Sequence, residues 1–142
     1  MSIVAVLDTN ILLSAIVYPR GNPFVCLDAA RQRRIESVTC DDILEEFFEK
    51  LVVKFYQTQE NANQAVTEVR GLSRVVVLSG GTYPIVDLDD SKILDCAIVA
   101  SATHIVTGDK KHLLPLNPFR GVRIVTPAEF LRIVEANEPT AE

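Results

Sequence analysis

Short, continuous hydrophobic runs alternate along this chain with longer segments whose apolar residues recur every three or four positions. Continuous apolar or β-branched runs are typical of strands that are buried on both faces. They predict strands at residues 3–7, 35–40, 74–79, 103–107 and 122–125. The segments with helical spacing predict helices over about residues 9–18, 23–33, 41–55, 59–72, 89–100 and 127–134.

Strands that alternate with helices imply a mostly parallel sheet with helices on both of its faces. The predicted fold class is therefore α/β, a three-layer α/β/α arrangement around a central sheet of about five strands. The chain has 142 residues, which suits one domain with a substantial core, and we assign residues 1–134 to it. The polar segment 135–142 is expected to be a frayed tail.

Acidic residues lie close to the ends of several predicted strands. Asp8 follows the first apolar run and Asp109 follows Thr107-Gly108, while Glu46 and Asp90 lie on helices that begin soon after other strand-like runs. Ligands of open α/β sheets bind in the crevice outside the carboxyl ends of the strands. Carboxylates gathered there repel one another unless a cation lies between them. The spacing therefore suggests a divalent-metal site.

Each of these acids also has an ordinary structural interpretation. The side chain of Asp8 could cap the helix that follows it, and Asp109 could be a turn residue. Glu46 could belong to the solvated face of its helix, and Asp90 could favour a positive helix N-terminus. Only their joint placement near strand ends favours the metal site.

Composition narrows the class of protein further. Hydrophobic residues make up 48% of the chain, but no run approaches the roughly 20 apolar residues of a membrane span. The three cysteines have no CxxC spacing, which argues against a zinc cage or a disulfide framework and indicates a reducing cytoplasm. The net charge of −5 argues against a protein that coats nucleic acid through bulk electrostatics.

Several short motifs, taken in order, resemble the PIN domain, and in particular the toxin components of toxin–antitoxin systems (VapC-like). The resemblance covers the chain from Ile3 to about Val134, and the motifs that carry it are Asp8-Thr9-Asn10, Ile43-Leu44-Glu45-Glu46, Asp90-Ser91-Lys92-Ile93-Leu94 with Cys96-Ala97, and Ile105-Val106-Thr107-Gly108-Asp109. It implies a five-stranded parallel sheet and a ribonuclease that hydrolyses RNA phosphodiester bonds with Mg²⁺ or Mn²⁺. It also implies a small antitoxin protein as partner and a homodimer.

Carried over residue by residue, the acidic cluster of the family falls on Asp8, Glu46, Asp90 and Asp109. The resemblance implies that Asp8, Asp90 and Asp109 hold a Mg²⁺ ion, while Glu46 helps to hold a second ion or orders a water. Glu45 is a rival for the glutamate position. The chain departs from the family at Cys40, where a serine is usual, and at Lys111, where many relatives have a further acid.

Neighbouring polar residues complete the predicted site. Asn10 could orient Asp8 by a hydrogen bond, and Thr107 could add a hydroxyl contact to a ligand or a water. Lys92, Lys110 and Lys111 are candidates for contacts with RNA phosphates, as is His112 beside them. These positions follow from proximity in the sequence to the proposed metal ligands.

Two other functions compete with a ribonuclease. A phosphatase of the haloacid dehalogenase type also begins with an acid after its first strand, but it requires a second Asp two residues later, where this chain has Asn10. The other alternative is a PIN-like module that binds RNA or protein without catalysis. The presence of all four acids argues against such a loss of activity.

Overall fold

The computed structural model describes residues 2–85 and 87–137 and contains one five-stranded sheet with the strand order β3-β2-β1-β4-β5. The strands are β1 Val4–Leu7, β2 Glu36–Cys40, β3 Ser73–Val76, β4 His104–Val106 and β5 Arg123–Val125. The helices of the described residues are α1 Thr9–Val17, α2 Asn22–Arg31, α3 Asp41–Val53, α4 Gln59–Leu72, α5 Leu88–Val99 and α6 Pro127–Asn137, with a 3₁₀ turn at Leu114–Leu116.

All strand pairs in the sheet are parallel. The chain moves from β1 through β2 to β3 in one direction and then returns across the sheet to β4. Because such crossovers are right-handed, α1 to α4 lie on one face and α5 lies on the other. Helix α6 packs against α2 and joins the larger layer. The predicted three-layer α/β/α class is therefore confirmed.

Strand β1 occupies the centre of the sheet, between β2 and β4. Residues Ala5, Val6 and Leu7 are buried, as expected for a continuous apolar run that packs against helices on both sides. The chain leaves β1 towards one edge of the sheet and later returns to its other side. This reversal creates a topological switch point, so a crevice opens beyond the carboxyl end of β1.

Two element boundaries differ by three residues from those predicted, and several others differ by one or two. Strand β3 ends at Val76 rather than at Ser79, and Val77 is 87% exposed. The reason is that β3 lies at the edge of the sheet and its single partner, β2, ends at Cys40, opposite Val76. Helix α6 extends to Asn137, three residues beyond the predicted end, while residues 138–142 of the predicted tail lie outside the described residues.

The loop between β3 and α5 is attached to α5 by a buried carboxylate. Asp95 is 3% exposed and accepts hydrogen bonds from the backbone N–H groups of Ser79 and Gly80 and from the hydroxyls of Ser79 and Tyr83. Burial alone would raise the pKa of Asp95, but these bonds hold that pKa below its ordinary value. They fix a connection that runs towards the first turn of α5.

Among residues 2–85 and 87–137, no helix combines the length and the apolar character needed to cross a membrane.

We expect Asp95→Ala to destabilise the fold by about 3 kcal/mol or more, because it leaves several buried donors without an acceptor. Tyr83→Phe removes one donor to the same carboxylate and is expected to lower the free energy of unfolding by about 1 kcal/mol. Urea denaturation of both variants checks the difference. Equal losses in the two variants would contradict the role of Asp95 as the shared acceptor.

Candidate active site

A cleft of about 200 Å³ opens at the carboxyl edge of the sheet, where β1, the segment after β4 and the helices α3 and α5 meet. Its lining is mostly acidic and consists of Asp8, Asn10, Glu46, Lys50, Asp87, Asp89, Asp90, Asp109 and His112. The four acids singled out in the sequence therefore line one cleft, although they come from four separate segments. Parallel strands end at a common edge, which is why distant parts of the chain meet here.

Asp8 is held at the end of β1 by the neighbouring strand. Its backbone N–H donates to the carbonyl of Val106 (3.0 Å), and its carboxylate accepts a hydrogen bond of 2.7 Å from the hydroxyl of Thr107. Asp8 is the N-cap residue of α1, but its side chain makes no capping bond, so the capping interpretation of that side chain is wrong. The Asp8 residue is 7% exposed, and burial raises the pKa of its carboxyl group.

Thr107 connects Asp8 to Asp109. The Thr107 hydroxyl donates to Asp8 and accepts from the backbone N–H of Asp109 at 3.0 Å. Asp109 in turn accepts bonds of 3.0 Å from the backbone N–H groups of Lys111 and His112 through one oxygen, Oδ1. A buried hydroxyl thus sets the relative position of two carboxylates, and a turn sets the orientation of the second.

Asp90 lies in the first turn of α5. The side chain of Asp87 caps this helix by accepting from the backbone N–H groups of Asp89 (2.8 Å) and Asp90 (3.3 Å). Burial and, after it, the negative charges of Asp87, Asp109 and Asp8 together raise the pKa of Asp90 to about 6. The carboxylates of the cleft therefore repel one another, and Asp90 is strongly affected by that repulsion.

Glu46 lines the cleft from α3, which lies on the other face of the sheet from α5. Burial raises its pKa, and so does a hydrogen bond with the carboxyl group of Asp89, while the hydroxyl of Thr9 and the ammonium of Lys50 act in the other direction. Glu45 is exposed and lines neighbouring surface grooves rather than the cleft. Of the two rival glutamates, therefore, Glu46 lines the cleft and Glu45 does not.

Asn10 and Thr107, the two residues predicted to support the acids, lie in different environments. Thr107 is fully buried and bonded to Asp8, whereas Asn10 is exposed at the cleft, and the side-chain hydrogen bond to Asp8 among the described residues comes from Thr107. Lys92 lines an adjoining groove and forms an ion pair with Asp42 at 3.5 Å.

Lys110 and Lys111 are exposed on the turn after Asp109 and do not line the cleft, whereas His112, on the same turn, does. Of the basic residues on this turn, therefore, only His112 is placed beside the carboxylates.

Sequence reasoning gave no role in the site to Thr9, whose hydroxyl acts on Glu46, and it missed three charged residues that act on Glu46 or Asp90. Asp89 and Lys50 line the cleft beside Glu46, and Asp87 caps the helix that carries Asp90. Two signals could have found them. Lys50 follows Glu46 by four residues, which places both on one face of a helix, and Asp87 stands at the position typical of an N-cap.

Cys40 occupies the position where a serine is usual in the family, and it does not line the cleft. It precedes α3 as the N-cap residue without making a side-chain capping bond. Its buried thiol interacts instead with the buried thiol of Cys96, and that contact and burial raise the pKa of Cys96. The thiol pair is therefore part of the packing between β2 and α5.

The donor set of the cleft fits a hard divalent cation. Mg²⁺ and Mn²⁺ prefer carboxylate oxygens, and a cation would relieve the repulsion that raises the pKa of Asp90. Within the described part of the chain, no three His, Cys, Asp or Glu side chains already form a closed ligand set. The chemistry of the residues, rather than a preformed cage, is what suits a metal.

Comparison with known proteins places these features in a family. The model of the PIN domain family matches residues 4–111, a range that contains all four acids. The chain is 31% identical over 147 residues to the uncharacterized protein MJ1680 of Methanocaldococcus jannaschii, a match that covers 95% of this chain and 94% of that protein.

A solved structure shares the fold. A chain in the crystal structure of VapBC2 from Rickettsia felis, bound to a DNA fragment from their promoter, matches with a TM-score of 0.63 and 15% sequence identity. The match covers 87% of this chain and 98% of that one. At this level of identity the likeness concerns the fold alone.

Replacing Asp90 with Asn should stabilise the protein at neutral pH when EDTA removes divalent ions. The folded state holds the proton of Asp90 more tightly than the unfolded chain does, because the pKa rises from 3.8 to about 6 on folding. Stability is therefore lost as the pH rises through this window. Allowing for solvent screening, we expect D90N to melt about 2–4 °C higher than the wild type at pH 7, as about 1 kcal/mol produces in a domain of this size.

The stabilisation by D90N should shrink as the pH is lowered towards 4, where the wild-type carboxyl regains its proton. Thermal unfolding followed by circular dichroism across this range checks the prediction, with D28N on α2 as a control acid that does not line the cleft. A wild type that is more stable than D90N at pH 7 in EDTA would contradict the repulsion.

Proposed function

Because this chain belongs to the PIN domain family, we propose that it is a metal-dependent endoribonuclease that hydrolyses RNA phosphodiester bonds with Mg²⁺ or Mn²⁺. The observation that carries this proposal is the convergence of Asp8, Glu46, Asp90 and Asp109 on one cleft at the switch point of the sheet. Four carboxylates in a small cleft are poorly suited to bind a phosphate by themselves, but they are well suited to hold a cation that binds one.

In this proposal Asp8, Asp90 and Asp109 hold the ion. When bound, the ion supplies a water of lowered pKa and neutralises charge on the leaving oxygen. Thr107 keeps the carboxylate of Asp8 aligned with Asp109 through its two hydrogen bonds, and the cap formed by Asp87 fixes the turn that presents Asp90. These contacts restrict Asp8, Asp109 and the first turn of α5, which would limit the reorganisation that catalysis requires.

Glu46, which lines the cleft from α3, has a separate role. Its carboxylate orders the attacking water, and its raised pKa suits a group that accepts a proton during the attack. No protein nucleophile is required. The three cysteines are buried, and none of them lines the cleft. Water is therefore the nucleophile in this mechanism.

The proposed biological role is the toxin of a toxin–antitoxin pair in the cytoplasm. The structural neighbour belongs to a VapBC2 complex bound to promoter DNA, which supports a small antitoxin as the partner of this chain. A homodimer is proposed on the family resemblance. A short upstream reading frame that encodes a DNA-binding protein would favour this role.

Membership of the PIN family disfavours the phosphatase alternative, because that reaction belongs to a different family with a second Asp where this chain has Asn10. The alternative of a non-catalytic binding module is tested directly. Defined RNAs are incubated with the protein in Mg²⁺, Mn²⁺ or EDTA, and the products are separated by length. Cleavage that requires the metal supports the nuclease, whereas RNA binding that is unchanged in EDTA without any cleavage supports the binding module.

We expect Asp8→Asn to reduce Mg²⁺-dependent RNA cleavage by roughly 100-fold or more, because the change keeps the shape of the side chain and removes the charge that would hold the ion. Single-turnover cleavage of a defined RNA measures the loss. D28N should cleave at the wild-type rate, because Asp28 lies on α2 and does not line the cleft. Full activity of D8N would remove Asp8 from the metal site.

A comparison of Glu45→Gln with Glu46→Gln should identify one functional glutamate. The Glu46 side chain lines the cleft and that of Glu45 does not. We therefore expect E46Q to lose roughly 100-fold in cleavage rate and E45Q to stay within about twofold of the wild type. The two variants differ by one position on the same helix, so each serves as the other's control. The reverse order of losses would reassign the role to Glu45.

A further inference from the structure

Lys50 occupies an unusual position, because its side chain lines the acidic cleft. It is the one lysine or arginine among the cleft residues that the structure describes. Lys50 lies on α3, one turn after Glu46, and it also lines the adjoining groove. A lysine four residues from a glutamate is usually part of a surface ion pair that contributes only a few tenths of a kcal/mol, roughly 0.3–0.5.

The contact between Lys50 and Glu46 is longer than two arginine ion pairs of the described residues, and the Lys92–Asp42 pair, at 3.5 Å, is nearly as long. The Lys50 ammonium lies 3.8 Å from the Glu46 carboxylate, which is too long for a hydrogen bond. By contrast, Arg74 bonds Glu36 at 2.7 Å and Arg70 bonds Asp41 at 2.8 Å. The ammonium of Lys50 is thus held near the carboxylates by charge, while its N–H donors remain available for another oxygen ligand.

The charge of Lys50 acts on carboxylates from two different elements of the cleft. It lowers the pKa of Glu46 on the same helix and also that of Asp8 at the end of β1. The ammonium therefore acts on one carboxylate proposed to hold the ion, Asp8, and on the one proposed to order the water, Glu46. A phosphate that binds in the cleft beside Asp8 and Glu46 would lie near this ammonium.

The acidic lining of the adjoining groove indicates that Lys50 acts in the cleft rather than on an RNA path outside it. That groove of about 300 Å³ is lined by five acids and two lysines, namely Asp42, Glu45, Glu46, Glu49, Asp89, Lys50 and Lys92. Lys92 is already paired with Asp42 at 3.5 Å. Such a surface repels an RNA backbone, so it is not a continuation of the phosphate path.

We propose that Lys50 is a catalytic residue of the nuclease whose ammonium donates a hydrogen bond to a non-bridging oxygen of the phosphate being cleaved. This inference rests on the proposed function. As the water oxygen bonds to phosphorus and the bond to the leaving oxygen breaks, negative charge grows on the non-bridging oxygens. The positive charge of Lys50 opposes that growth, and Lys50 keeps its own proton throughout.

The test compares K50M, K50R and K54M in two measurements. Lys54 lies one turn further along, caps α3 and does not line the cleft, so K54M is the matched control. In single-turnover cleavage with Mg²⁺ we expect K50M to lose roughly 100-fold in kcat, with a rise in KM of roughly tenfold that follows its weaker binding. K50R, which keeps the charge, should recover to within about tenfold of the wild type, and K54M should match it.

The second measurement is binding of a short oligoribonucleotide in Ca²⁺, with the thermal midpoint of each variant as a check on folding. K50M should bind roughly tenfold more weakly than K54M at an equal thermal midpoint, and K50R should bind like the wild type. If Lys50 only paired with Glu46, K50M would change neither the binding of the oligoribonucleotide nor the ratio of kcat to KM. K50M that cleaves and binds within about twofold of K54M would overturn the proposal.

The two measurements also separate this inference from the proposed function. If the wild type binds the oligoribonucleotide but does not cleave it, the proposed nuclease activity is wrong, and the catalytic role of Lys50 is wrong with it. Weaker binding by K50M in that case would support only a contact between Lys50 and a phosphate. If the wild type cleaves and K50M cleaves equally well, the nuclease stands and the role of Lys50 is overturned.

Discussion

The candidate site depends on the parallel pairing of β1 with β4. In this register Leu7 lies opposite Val106, so the next residue of each strand, Asp8 and Thr107, emerges at the same edge. The backbone N–H of Asp8 continues the ladder to Val106, and the Thr107 hydroxyl donates to the carboxylate of Asp8. A slip of one residue would turn these side chains to the opposite faces of the sheet and separate the carboxylates.

The second constraint is electrostatic. Burial and mutual repulsion raise the pKa values of Asp8, Glu46 and Asp90, which means that the fold holds these charges at a cost in free energy. Such a cost is typical of functional sites, where groups are positioned for a ligand rather than for stability. Lys50 offsets part of the cost at Glu46 and Asp8, and the same charge suits it to bind a phosphate.

Asp95 shows how a carboxylate in the same helix can have the opposite role. It accepts hydrogen bonds from Ser79, Gly80 and Tyr83, and its pKa is lowered rather than raised. Asp90 and Asp95 therefore differ in environment, because one faces other acids and the other faces donors. The bonds to Asp95 hold the loop that leads into α5, and that helix in turn carries Asp90 to the cleft.

The sequence by itself determined the order of strands and helices, the α/β class and the placement of Asp8 and Asp109, because hydrophobic periodicity and the residue after a buried strand are local properties. Only the tertiary structure separated Glu46 from Glu45, since neighbours on a helix point about 100° apart and their surroundings decide which one is functional. The same applies to the early end of β3, which follows from the length of its partner strand, and to the meeting of Asp89 and Lys50 with Glu46. These features arise from packing between distant segments, and no local pattern encodes them.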